Sequence, residues 1–117
     1  MTLEEKELLL KDLSGRLPYG VKVKTNNINI LKLGTHTRVG EYVTDVIEPC
    51  KPYLFPLSSM TEEQTEELIK LINTGQNDNN EFMRSLCRIE FYHKYHFDYR
   101  GLIPKGLALD ATNLNIY

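Results

Sequence analysis

The N-terminal segment carries apolar residues at helical spacing. Thr2 followed three residues later by Glu5 forms a capping box, and leucines then recur along one side as far as Leu13. This pattern predicts a helix over residues 3–13. We expect Gly15 to end it, because glycine adopts the left-handed conformation that commonly closes a helix.

Beyond residue 20 the period changes from helical to alternating. Residues 21–24 alternate Val and Lys, two asparagines follow, and residues 28–33 are again rich in Ile and Leu, which is typical of a β-hairpin. β-Branched and aromatic residues at 39–43 and 46–47 predict one or two further strands. Together these segments are expected to form a meander of three or four short strands.

Three prolines, Pro49, Pro52 and Pro56, bracket the apolar triplet 53–55. Proline fixes its own φ and has no amide hydrogen to donate, so the stretch is interpreted as a stiff, extended connector. Its aromatic side chains are large and apolar, so they must pack against another part of the protein. We therefore expect this connector to cover one end of the sheet.

Two further capping boxes predict two more helices. Thr61 with Gln64 precedes an apolar series that ends near residues 73–75, and Asp78 with Glu81 begins a third helix that runs to about residue 95.

The predicted third helix has two apolar sides. At 100° per residue, one stripe contains Phe82, Leu86, Ile89 and His93, and the opposite side carries Phe91 and Tyr95. Such a helix is either sandwiched within the fold or shared with a second chain. The second alternative predicts a homo-oligomer that forms through Phe91 and Tyr95.

These elements predict an α+β fold in one domain over residues 1–117. A chain of 117 residues can close one hydrophobic core but is too short for two. We expect a small, curled antiparallel sheet of three to four strands, SH3-like in its curl, with three helices packed against it. The segment 102–109 is expected to complete the core.

Composition and charge narrow the function classes. With 41% hydrophobic and 26% charged residues the chain is typical of a globular protein. Its net charge is −2 and no block of like charge occurs, so nucleic acid is a possible but not a favoured partner. Lys22, Lys24 and Lys32 would share an exposed side of the hairpin, where lysines usually serve solubility and protect the sheet edge.

The compartment is predicted from what the chain lacks. No apolar run approaches the roughly 20 residues of a membrane span, and the acidic start is unlike a signal peptide, so we expect no membrane partner and a cytoplasmic protein. The two cysteines, Cys50 and Cys87, show no framework spacing and are expected to be free thiols.

No catalytic or cofactor motif is present. The sequence contains no Gly-x-Ser-x-Gly, no glycine-rich phosphate loop, no His-Glu-x-x-His and no dinucleotide fingerprint. We therefore predict that the protein is not an enzyme, has no catalytic residues and carries no cofactor.

His93, His96 and Asp98 are the residue types that bind metals, and an i, i+3 pair of histidines on a helix points the same way. A metal-dependent enzyme built on His93 and His96 is therefore a third functional alternative. The favoured interpretation is structural, with both histidines hydrogen-bonded to the backbone or to Asp98, and no metal.

Residues 92–100 hold the densest mixture of aromatic and basic side chains, the mixture that stacks on bases and pairs with phosphates. We take Tyr99, Arg100 and Lys105 as the candidate ligand- or partner-binding residues, because they follow the third helix in turns. A guanidinium grips a carboxylate or phosphate with two parallel hydrogen bonds. Alternatively, Arg100 pairs with Asp98 or caps the helix end.

Two stretches resemble a known family: residues 51–63 (KPYLFPLSSMTEE) and 96–108 (HFDYRGLIPKGLA), with 17–21 (LPYGV) as a weaker third match. They look like small uncharacterised proteins of gut Bacteroidetes bacteria, their prophages and their phages. The family pattern has a basic residue where Phe55 stands here and an acidic one where Pro104 stands. The resemblance implies a phage or mobile-element origin and a bacterial cytoplasm, and no activity.

The leading functional prediction is a non-catalytic binding module, which acts on a host protein or sequesters a small nucleotide-like signal. It rests on the absence of catalytic motifs and on analogy with other phage-related single domains. The first alternative is a nucleic-acid-binding protein.

Overall fold

The computed structural model describes residues 2–25, 28–37, 50–74 and 81–117. The helices are α1 (Leu3–Arg16), α2 (Glu62–Thr74) and α3 (Glu81–Lys94). The strands are β1 (Lys22–Lys24), β2 (Leu31–Lys32), β3 (Lys51–Pro56), β4 (Phe97–Asp98) and β5 (Leu109–Asp110). The predicted α+β class with three helices is confirmed. The strands predicted at 39–43 and 46–47, and the capping residue Asp78, lie outside the described residues.

The sheet is mixed, and its strand order is β2-β1-β3-β4, with β5 also paired to β3. β1 runs antiparallel to β2, which confirms the predicted hairpin, and antiparallel to β3. β4 and β5 run parallel to β3, where an antiparallel sheet was predicted. The difference arises because α2 and α3 lie between β3 and β4 in the chain, and parallel pairing requires such a long crossover. An SH3-like curl stays a prediction.

β3 is the central strand, so its interpretation as a connector was wrong. Pro52, Tyr53 and Leu54 are buried in it. Proline is tolerated here because no long ladder runs along β3. Instead, β1 pairs with residues 51–52, β5 with 53–54 and β4 with 55–56.

The capping box at the start of α1 is confirmed, because the backbone amides of Thr2 and Glu5 each donate to the other's side chain, at 2.9 and 3.1 Å. The helix continues past Leu13 to Arg16, so Gly15 does not end it. The left-handed residue is Gly20, with φ 70°, after one turn of 3-10 helix. Gly15 instead permits close packing, since a Cβ there would lie 2.7 Å from Cε1 of His93.

The capping box of α2 is also confirmed, because the amides of Thr61 and Gln64 donate to each other's side chains at 2.9 and 3.1 Å. Leu68 and Ile72 of this helix are partly buried, whereas Ile69 and Leu71 are exposed.

The two apolar sides of α3 differ in their burial. Phe91 is only 2% exposed, whereas Phe82 is 67% exposed. β4 follows α3 almost directly in the chain, and Phe91 packs against Phe97 of that strand. Phe91 therefore has almost no surface with which to contact a second chain, and the homo-oligomer predicted through Phe91 and Tyr95 lacks its main contact.

The hydrophobic core lies between α1 and the sheet. It contains Leu9, Leu13, Val21, Val23, Leu33, Cys50, Leu54, Leu102, Leu107 and Ala108. Leu102, Leu107 and Ala108 confirm that segment 102–109 completes the core. Cys50 and Cys87 are free thiols, as predicted, and burial raises the pKa of Cys50 to about 11. None of the helices in the described ranges combines the length and apolar character that crossing a membrane requires.

Candidate functional site

The turn that follows α3 holds His96 in an unusual conformation. Its φ is 61°, in the left-handed region that residues with a Cβ rarely occupy. Two backbone hydrogen bonds hold it there: its carbonyl accepts from the amide of Phe55 at 2.8 Å, and its amide donates to the carbonyl of His93 at 3.2 Å. Residues in such sparsely populated conformations persist only where the surrounding structure over-determines them, and they cluster at active sites and ligand sites.

The imidazole of His96 is stacked on Tyr117, with ring centroids 3.6 Å apart and an interplanar angle of 14°. The Tyr117 hydroxyl accepts a hydrogen bond from the amide of Lys22 at 2.7 Å and donates to the carbonyl of Tyr53 at 2.8 Å. Burial raises the pKa of Tyr117 to about 12, so the phenol stays a neutral donor. These hydrogen bonds hold the Tyr117 ring in place beside His96.

A cleft of about 470 Å³ opens between the start of α2, the end of α3, β4 and the C-terminal segment. Its size falls within the range of small-molecule sites. The aromatic lining consists of Phe55, Tyr95, His96, Phe97 and Tyr117, and the polar lining of Ser59, Thr61, Gln64, Lys94 and Thr112. Apolar walls with a few polar groups are the usual composition of a ligand pocket.

The rim of the cleft is electrically balanced. Nζ of Lys94 lies 3.3 Å from Oε1 of Glu67, and the hydroxyl of Tyr95 donates to Oε2 of the same carboxylate at 2.6 Å. Tyr95 and Lys94 each donate a hydrogen bond to Glu67, and these bonds raise the pKa of Tyr95 and of Lys94. The bond from Tyr95 is also the main cause that lowers the pKa of Glu67. The cleft therefore presents one cation that is already paired, and not a strong positive field.

His96 enters this site as a neutral base. Burial first, and then the charges of Arg16 and Lys22, lower its pKa to about 4. Its Nδ1 is buried and has no hydrogen-bond partner within the described part of the chain. Buried polar atoms nearly always have a partner in native proteins, so an orphaned one points to a water or ligand that completes it.

Two other polar groups of the cleft keep unused hydrogen-bonding capacity. Oε1 of Gln64 closes the capping box of α2, which leaves the amide NH2 without a hydrogen bond to any described residue. The hydroxyl of Ser59 donates to the carbonyl of Pro56 at 2.7 Å, so its oxygen can still accept. The cleft thus offers both donors and an acceptor beside aromatic faces.

A second constellation, which we term the inner cluster, consists of Asp12, Arg16, His93, Tyr99 and Arg100. Asp12 and Arg16 are both 0% exposed. Nε of Arg16 donates to Oδ2 of Asp12 at 2.8 Å, and its Nη2 donates to Oδ1 at 3.2 Å and to the carbonyl of Phe97 at 2.6 Å. Nε of Arg100 donates to the same Oδ1 at 3.2 Å.

Tyr99 joins both arginines to His93. Its ring centroid lies 5.4 Å from the guanidinium carbon of Arg16 and 5.0 Å from that of Arg100, so cation–π attraction operates with both. Its hydroxyl is 2.7 Å from Nε2 of His93. Burial first, and then the charge of Arg16, lower the pKa of His93 to about 4, so this imidazole is neutral at pH 7.

The structure therefore brings together two of the three residues predicted as a binding site. Tyr99 and Arg100 lie in the inner cluster, whereas Lys105 is exposed in a turn, and no contact described for the chain joins it to them. The expectation that Arg100 pairs with Asp98 or caps α3 was wrong, because it pairs with Asp12 of α1. Asp98 instead accepts from the amides of Leu102 and Ile103, both at 2.9 Å.

The proposed metal ligands have different partners. His93 bonds to Tyr99, His96 stacks on Tyr117, and Asp98 caps the turn at residues 102–103. Across the four described ranges, no group of three or more His, Cys, Asp or Glu side chains is placed to hold a metal ion.

One of the hairpin lysines is engaged inside the fold. Nζ of Lys22 donates to the carbonyl of Ile116 and lies 5.5 Å from the centroid of the Tyr117 ring. Lys22 is thus not free to contact phosphates, while Lys24 and Lys32 remain exposed.

Sequence reasoning missed the cleft. Its walls come from β3, β4, the end of α3 and the last residue, and Tyr117 was in a tail that carried no local signal. The available signals were the resemblance to a family at 51–63 and 96–108, which together contain five of the lining residues, and the position of Gln64, which both caps α2 and lines the cleft. Comparison with known proteins adds nothing here: no family model, no curated protein and no solved structure matches the chain significantly.

Proposed function

We propose that the protein is a non-catalytic binding module whose cleft holds a small, planar, nucleotide-like molecule. The observation that carries this proposal is the stacked pair of His96 and Tyr117, which stands at the edge of an aromatic cleft with His96 held at positive φ and one of its nitrogens unpaired.

The lining matches the chemistry of a nucleobase. Base-to-aromatic stacking contributes about 1–3 kcal/mol per base and accepts any base, because every base has a π-face. The amide of Gln64 and the hydroxyl of Ser59 supply a donor and an acceptor for the edge of the ring, and Lys94 can meet one phosphate. Because Glu67 already pairs with Lys94, a nucleoside or monophosphate fits better than a polyanion.

The biological setting comes from the family resemblance of residues 51–63 and 96–108. It supports a protein of phage or mobile-element origin that sequesters its ligand in a bacterial cytoplasm. Action on a host protein is the alternative within the same class. Nucleic-acid binding is less favoured, since Lys22 is engaged by the C-terminal segment and the rim is balanced in charge.

The test is titration calorimetry with adenosine, guanosine, cytidine and uridine and their 5′-monophosphates. We expect at least one of these compounds to bind wild-type protein with Kd below about 100 μM, which corresponds to about −5.5 kcal/mol.

Gln64→Glu is the informative variant. Glutamate preserves a capping box, so α2 stays intact, but the amide donor becomes an anionic acceptor. We expect binding to weaken at least tenfold with little change in melting temperature. Lys11→Gln, an exposed change on α1, is the control and should bind normally. The proposal fails if none of these compounds binds, or if Gln64→Glu binds as well as wild type.

A further inference from the structure

The inner cluster has more positive than negative charge. It contains two guanidinium groups and one carboxylate, and His93 adds no charge because burial keeps its pKa near 4. Both arginines reach the same oxygen, Oδ1 of Asp12, each at 3.2 Å, so their guanidinium groups lie side by side. Adjacent like charges in a buried place are unfavourable unless a second anion balances them.

Arg16 shows where a partner is missing. Its Nε and Nη2 are fully used by Asp12 and the Phe97 carbonyl, but its Nη1 is buried and has no hydrogen-bond partner within the described ranges. Arginine stays protonated when buried, so it cannot avoid this cost by losing its charge. A charged nitrogen that is buried on a side chain with 0% exposure and has no acceptor is unfavourable, so an additional acceptor would stabilise it.

Arg100 is the solvent-accessible one of the two guanidinium groups that contact Asp12. Its side chain is 23% exposed, and only its Nε is used in a hydrogen bond, to Asp12. The two terminal nitrogens form no hydrogen bond with any described residue, so they keep the pair of parallel N–H groups that fits an oxyanion. The Tyr99 ring, on which Arg100 lies at 5.0 Å, restricts the orientation of that guanidinium.

We propose that the inner cluster is a binding site for a small oxyanion, a carboxylate or a phosphate group. The terminal nitrogens of Arg100 grip the anion at the surface, and Nη1 of Arg16 donates to it from within. Arg16 is fully buried, so the anion enters on the Arg100 side, with a shift of that side chain. This site is distinct from the cleft and does not depend on the proposed nucleotide-like ligand.

The experiment measures the melting temperature of the whole protein in sodium phosphate, sodium acetate and sodium chloride at equal ionic strength and pH 7. At 10 mM anion, ten times a Kd near 1 mM, such a site is about 90% occupied, and this raises the melting temperature of a domain of this size by about 6 °C. We expect a saturable rise with phosphate, acetate or both, but not with chloride. A rise with phosphate alone identifies a phosphate site, and a rise with acetate alone a carboxylate site.

Arg100→Gln is expected to abolish the rise, and Arg100→Lys, which keeps the charge but loses the paired N–H groups, to weaken the affinity about tenfold. Arg88→Gln is the matched control, because Arg88 also pairs with a single carboxylate, that of Glu81, but at the surface. It should retain the full rise. The proposal is overturned if wild-type protein shows no saturable rise beyond chloride, or if the rise survives in Arg100→Gln. The wild-type titration decides the matter even if a variant fails to fold.

Discussion

His93 and His96 are three residues apart, yet they lie in two different regions and have different hydrogen-bonding partners. Both are buried, and burial lowers the pKa of each to about 4. His93 lies in the inner cluster, where its Nε2 bonds to Tyr99 and its ring packs on Gly15. His96 lies in the cleft, at positive φ, stacked on Tyr117 and with Nδ1 unpaired.

The difference shows that spacing within a sequence does not by itself assign a role. α3 ends at Lys94, between the two histidines, so the helical spacing that would point both rings the same way no longer applies. His93 remains on the helix, against α1, while His96 turns into the cleft. His93 completes a hydrogen bond within the inner cluster, whereas Nδ1 of His96 has no partner among the described residues.

The largest expected effect is the loss of Asp12, which pairs with both arginines of the inner cluster. Asp12→Ala removes the carboxylate that pairs with both arginines, and loss of one partner of a buried ion pair costs about 3–5 kcal/mol. Urea denaturation should therefore show a much lower midpoint. Glu81→Ala, which breaks the exposed pair with Arg88, should cost less than about 1 kcal/mol. Equal losses in the two variants would contradict the buried role of Asp12.

The next effect is a dependence on pH that both histidines share. Their folded pKa values, about 4, lie below the ordinary 6.5, so between these values the unfolded chain binds protons that the folded chain does not. Stability should therefore be complete above pH 6.5 and fall as the pH drops towards 4, by up to about 1.4 kcal/mol per pH unit for each histidine.

Denaturation at several pH values between 7 and 4 checks this. His93→Gln and His96→Gln should each remove about half of the difference from wild type, whereas His36→Gln, at an exposed position, should leave it unchanged. If either His93→Gln or His96→Gln keeps the full pH dependence of the wild-type protein, burial does not lower the pKa of that histidine in the folded state.

A smaller effect tests whether His93 is fixed in place. Gly15→Ala would ordinarily favour the helix by up to about 1 kcal/mol, because glycine is a poor helix former. Here the new Cβ would lie 2.7 Å from Cε1 of His93, whose ring is held by Tyr99 and cannot move freely. We expect a net loss of about 1–2 kcal/mol in thermal or urea denaturation, as overpacking causes. A gain in stability would show that the His93 ring yields.

The smallest expected effect comes from a substitution that leaves His93, like His96, with an unpaired ring nitrogen. Tyr99→Phe keeps the ring beneath both arginines but leaves Nε2 of His93 without its hydroxyl partner, as Nδ1 of His96 is without one. We expect a loss of about 1 kcal/mol, the usual net contribution of one hydrogen bond. Nucleotide binding in the cleft should not change. A change in that binding would mean that the two regions are coupled.

Local signals predicted a large part of the fold and a part of one candidate site. The capping boxes at Thr2 and Thr61 are formed, because both partners of a capping box lie within one helical turn. The hairpin of β1 and β2 follows from alternation along neighbouring residues. Tyr99 and Arg100 were singled out because they follow the third helix in turns, at the end of a segment dense in aromatic and basic groups, and they do lie together in the inner cluster.

By itself, the sequence determined the α+β class, the three helices and the hairpin, because helix caps and hydrophobic periods act over a few residues. Only the tertiary structure decided that β3 is central and that Phe91 is the buried side of α3, since both depend on which strands pair. It also decided the partners of the two sites. Arg100 meets Asp12 across 88 positions of the chain and Tyr117 meets Lys22 across 95, and no pattern among neighbouring residues encodes contacts at such separations.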